Sequence, residues 1–146
     1  MVNAEAGEDV AGAHRVLLVG PWRGSATSGG CCSADAATLA EPDPAGSTAA
    51  VHNHDRVIAA DVVRALRSAA DASVDVELVD PRNTVFVLPA VYRDARRRGT
   101  GIRAALTEAV RATTPWALVI DGKVVSRSLP LTPAAAVGLL PADFTS

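Results

Sequence analysis

Two residues in this chain have side chains suited to soft-ion or redox chemistry, and they are adjacent: Cys31 and Cys32 are its only cysteines. A thiolate attacks a disulfide or binds a soft metal, and the preceding Gly30, with a short helix over Ser33 to Leu39, would aim backbone N–H groups at the sulfurs and favour that form. Neighbouring cysteines close on each other only through a strained ring, so a bridge between them would be readily reduced. Both sulfurs can more easily share one soft ion, such as As(III), Cu(I), Hg(II) or Zn(II). Zinc would require further donors, and the nearby candidates are His52 and His54 in Val51-His52-Asn53-His54-Asp55. In an extended loop, side chains two apart share a side, so both imidazoles could reach the ion that Cys31 and Cys32 hold. The alternatives are a solvated His pair ahead of a helix and two thiols serving as small apolar fillers.

Charge gives a second candidate. Between Arg82 and Arg111, seven arginines face only Asp94 and Glu108, in a chain that carries 14 Lys plus Arg against 16 Asp plus Glu. Arg93, Arg96, Arg97 and Arg98 crowd one helical stretch, where they form either a solvated face or a docking surface for an acidic protein or anionic ligand. Other chemistries lose support. The run Gly20 to Gly30 has the glycines and serines of a phosphate loop but no Gly-Lys-Ser/Thr, which argues against nucleotide hydrolysis. No Gly-x-Ser-x-Gly elbow is present for a Ser/His/Asp hydrolase, and His14 reads as a strand-edge residue.

The elements that must position these groups follow from pattern. His14 to Pro21 is a short apolar run closed by Gly-Pro, a buried strand. Residues 21–55 are rich in Gly, Ser, Ala, Asp and Pro and read as one long loop. From Asp55, read as a cap, Ile58, Val62, Leu66 and Ala69 or Ala70 recur at helical spacing. Val74 to Val79 alternates as a strand and ends at Asp80-Pro81. Two helical pieces follow. Pro89 opens the first, to Arg98, with Ala90, Val91 and Ala95 inward; Thr100 caps the second, Ile102 to Ala112, with Ile102, Leu106 and Ala109 inward. Trp116 to Ile120 and Lys123 to Arg127 flank Asp121-Gly122, a strong hairpin signal. Thr132-Pro133 opens a last helix, with Val137, Leu139 and Leu140 available for packing. This order implies an α/β fold: βαβ followed by ββα, a four-stranded mixed sheet with helices on both faces.

The element order, the Thr114-Pro115 step before the third strand and the paired thiols after the first together resemble the thioredoxin-fold superfamily. The resemblance implies that Pro115 is cis and faces the cysteine site, with Thr114 beside it; Trp116, after the proline, reads as core or as the rim of the thiol site rather than as a cofactor contact. It also makes Cys31 the attacking thiol and Cys32 the resolving one in a thiol–disulfide oxidoreductase or redox sensor. Adjacent Cys31-Cys32 is similar to the vicinal pair of the arsenical-resistance metallochaperone and repressor family, which implies a site for a soft metal or metalloid. In that family a third cysteine follows the pair; this chain has none, and eleven residues, Gly20 to Gly30, precede its own pair.

Composition sets the outer bounds. At 146 residues the chain suits one domain, read as a flexible tail over 1–13, a folded unit over 14–140 and a short tail over 141–146. Half the residues are apolar, but 29 of them are alanine and only five are aromatic, which excludes a base-stacking surface; nucleic acid is disfavoured as a partner. No apolar run reaches the roughly 20 residues of a membrane span, and the start lacks a secretory signal, so the expected compartment is the cytoplasm, where thiols stay reduced. The leading expectation is a vicinal dithiol that holds a soft metal or metalloid and hands it to a protein partner. Redox chemistry and a non-catalytic module docking through the Arg-rich helices are its rivals.

Overall fold

A strand buried on both faces needs an unbroken apolar sequence, and Val16-Leu17-Leu18-Val19 supplies one: all four residues are buried in β1 (His14–Val19). The computed structural model describes residues 14–21 and 47–145, with side chains from residue 54 onward in the second stretch. After β1 come α1 (Ser47–Ala69), β2 (Val74–Val79), α2 (Thr84–Arg97), α3 (Ile102–Ala112), β3 (Leu118–Ile120), β4 (Lys123–Ser126) and α4 (Pro133–Gly138). The sheet order is β2-β1-β3-β4, with β1 and β2 parallel and the other two pairs antiparallel. This is the expected mixed α/β sheet.

Alternation along the strands divides the core in two. Val16, Leu18, Val76, Leu78, Leu118 and Ile120 meet Val62, Val63 and Leu66 of α1 and Ala136 of α4 on one face. Leu17, Val19, Val79, Val119 and Val124 meet Val87 and Val91 of α2 and Ala109 and Ala112 of α3 on the other. Each fully buried Leu or Val stabilises by roughly 1.5–3 kcal/mol relative to exposure, so the two-sided burial of β1 anchors the molecule.

Several expectations change. The helix read as opening at Asp55 begins at Ser47, so the final residues of the expected 21–55 loop are helical. Pro89 lies inside α2 rather than opening it. Its missing N–H orphans the carbonyl of Val85, which is 86% exposed, so water can satisfy that oxygen. Gly101, not Thr100, is the N-cap of α3, and no side chain caps it. Thr132 does cap α4, its hydroxyl accepting from Ala135 N–H at 3.2 Å, with Pro133 in the first turn. Of the α4 residues expected to pack, Leu140 is buried and Leu139 is exposed.

In α3 the inward residues are Ala105, Ala109 and Ala112, while Ile102 and Leu106 point outward. Small side chains let α3 approach its neighbours closely, and that contact selects the alanine stripe over the larger one. The residues after Leu140, read as a tail, form a closing turn of 3-10 helix (Ala142–Phe144) that drives Phe144 to 1% exposure in the core.

Candidate functional site

Because β1 and β2 are parallel and β3 runs against β1, the ends of β1 and β2 and the start of β3 share one edge of the sheet. The segment Thr114-Pro115-Trp116 is fixed there. Trp116 N–H donates to the Val19 carbonyl at 3.0 Å, Val19 N–H to Ala117 O at 2.8 Å, and Gly20 N–H to Val79 O at 2.8 Å. The Pro115 carbonyl accepts from Ser128 N–H at 3.1 Å, tying the segment to the chain beyond β4. Trp116 is buried in the core at φ 62, a left-handed conformation that a bulky residue adopts only when its surroundings dictate it. No cis peptide bond occurs among the described residues, so the expectation of a cis Pro115 is corrected: the turn into β3 is made at Trp116 instead.

Cys31 and Cys32 lie outside the described residues, in the connection that leaves β1 at this edge and continues to α1. His52 and His54 both belong to α1 rather than to an extended loop, and His54 is exposed. Among the described residues, no group of three or more His, Cys, Asp or Glu is placed to hold a metal.

The Arg-rich stretch resolves into tied and open cations. Arg98 pairs with Asp121, and Arg97 with Asp94 at 3.9 Å. Exposed Arg96 donates to the Thr100 carbonyl at 2.7 Å. Arg93 is exposed and has no carboxylate within ion-pair distance among the described residues.

At the opposite edge of the sheet is a polar cluster that the sequence reading did not assemble. Asp121, 6% exposed, accepts from Arg15 N–H at 2.8 Å through Oδ1, while its Oδ2 meets Arg98 and lies 3.0 Å from His14 Nδ1. The His14 ring packs against Phe144 with centroids 4.2 Å apart. Nearby, Arg15 reaches Asp94 at 3.5 Å. Burial pushes the Asp94 carboxyl above its ordinary range, although Arg15 and Arg97 pull the other way. Burial, reinforced by Asp75, also raises Glu77, whose Oε2 has no hydrogen-bond partner among the described residues. The signal for this cluster was topological: pairing β1 against β3 sets the start of β1 beside the Asp121-Gly122 turn.

The described residues hold no helix long and apolar enough to cross a membrane. Compared with family models, with curated proteins and with solved structures, the chain finds no match.

Proposed function

We propose that this chain is a thioredoxin-like protein in which Cys31 and Cys32 act as a vicinal dithiol, holding one soft metal or metalloid ion for transfer to a protein acceptor. The observation that carries the reading is the 3.0 Å bond from Trp116 N–H to the Val19 carbonyl. It sets the Pro115 segment against the strand end from which the connection bearing both cysteines departs. In parallel α/β sheets, that strand-end edge is where ligands and reactive groups collect, because the connections there leave a rigid scaffold. Two adjacent thiolates suit a soft ion better than they suit each other, since a vicinal bridge is strained. Thr114, Pro115 and Trp116 would shape the approach to the sulfurs, with Trp116 acting through its place in the core.

The test uses the full chain, reduced under anaerobic conditions and titrated in turn with As(III), Cu(I) and Zn(II), with bound ion and free thiol read by mass spectrometry. One ion per chain, with both thiols protected from alkylation and uptake lost in Cys31→Ser and Cys32→Ser, is the expected result. No uptake of any of the three ions, with an oxidant instead producing a disulfide that thiols reverse, would overturn the proposal in favour of redox chemistry.

A further inference from the structure

α3 turns its large apolar residues the wrong way for a helix that serves only its own core. Ile102, Leu106 and Val110, spaced four apart, are 57%, 52% and 64% exposed, while the buried face consists of alanines. Residues at that spacing form one continuous stripe along about two turns, as an anchor surface for a partner helix requires. Charge marks one end and one flank of it. Arg96 is held by the Thr100 carbonyl in the turn just before Ile102, and Arg103, on α3 itself, lies one helical turn from Leu106 with no carboxylate at ion-pair distance among the described residues. The first turn of α3 contains no acidic residue, so the positive end of its dipole is also uncompensated there.

From this juxtaposition we propose that the outer face of α3 docks an amphipathic helix of a protein partner, one that lays an apolar stripe on Ile102, Leu106 and Val110 and presents carboxylates to Arg96 and Arg103. Charge decides against a second copy of this chain as the occupant. The carboxylates of the α2–α3 hairpin are already engaged, Asp94 by Arg15 and Arg97, and Glu108 by Arg111 at 2.9 Å and Val124 N–H at 2.7 Å. A copy pairing face to face would therefore bring arginines to arginines. This surface is argued independently of the dithiol, and either proposal can fail alone.

The test is a titration of the isotope-labelled full chain, followed by NMR, with two synthetic amphipathic helices of about 15 residues that share one leucine stripe. One carries glutamates beside the leucines and the other lysines. The glutamate peptide should bind and shift the amides of 102–110, with affinity falling as salt rises; the lysine peptide should bind roughly tenfold more weakly or worse. Leu106→Asp and Arg103→Glu, both surface changes, should each weaken the glutamate peptide about tenfold or more while circular dichroism stays unchanged. Failure of the glutamate peptide to bind, equal binding of the two peptides, or self-association of the chain that Leu106→Asp abolishes would each overturn the proposal.

Discussion

Asp121 shows how one side chain can close a sheet. It occupies a left-handed position at φ 47 in the β3–β4 turn, its backbone N–H donates to Arg15 O at 2.8 Å, and its Oδ1 takes back Arg15 N–H. Asparagine keeps the shape, tolerates the same backbone and retains an acceptor; alanine does neither of the last two. Asp121→Asn should therefore lower unfolding free energy by about 1 kcal/mol and Asp121→Ala by about 3 kcal/mol, measured by urea denaturation. Equal losses would mean that the charge toward Arg98 and His14, rather than the turn geometry, is what matters. The neighbouring Gly122 is a stricter position. It has φ 79, and a Cβ there would come within 2.7 Å of Ala95 Cα and the Val91 carbonyl oxygen of α2. Gly122→Ala combines strained backbone with overpacking and should destabilise by about 2–4 kcal/mol in the same assay.

Among the elements, α3 separates what periodicity can show from what it cannot. Ile102-Leu106-Val110 and Ala105-Ala109-Ala112 both recur at helical spacing, so the existence and length of the helix were legible, but its rotation was not. Bulk apolarity favours the first stripe, whereas the close approach of the helix to α2 and the sheet demands the second. Ala109→Leu should accordingly lose about 1–3 kcal/mol, and Leu106→Ala less than about 1 kcal/mol, by thermal or chemical unfolding. The reverse ranking would mean that α3 is rotated from the orientation described. β2, the Asp121-Gly122 hairpin and the Thr132-Pro133 opening of α4 were legible because each depends on local chemistry: alternation, positive φ, a hydroxyl cap. The start of α1 was not, since Ser47 to His54 offers no sustained apolar stripe, and helix there extends from the packed turns that begin near Ile58. The Pro115 edge was legible as a place, through Thr114-Pro115 before a strand, but not in its conformation. The positive φ of Trp116 follows from where its ring must go in the core, which no local motif announces.

At the scale of the whole molecule, two elements bring like charges together on one face, with Glu77 on β2 and Asp94 on α2 both within reach of Arg15 on β1. Both carboxyls are raised above their ordinary values, in each case chiefly by burial, so the folded protein holds protons that the unfolded chain has already released. Where the native state binds more protons, stability falls as pH rises. The decline should begin near the ordinary carboxyl range, about pH 4 to 4.5, and level off once both groups are ionised in the folded state. Arginines partly offset both charges, Arg15 and Arg97 at Asp94 and Arg15 and Arg67 at Glu77, but Glu77 Oε2 is buried with no hydrogen-bond partner among the described residues, which makes Glu77 the position to test. Glu77→Gln keeps the side-chain shape and removes the charge. It should raise unfolding free energy at pH 7 and converge on the parent below about pH 4, where Glu77 is protonated in the folded and the unfolded chain alike. Urea denaturation from pH 4 to pH 8 would show the two curves diverging as pH rises. If Glu77→Gln instead lowered stability at pH 7, the attraction of Glu77 for Arg15 would outweigh the desolvation of its carboxylate, and the pH slope would have to be assigned to Asp94 alone.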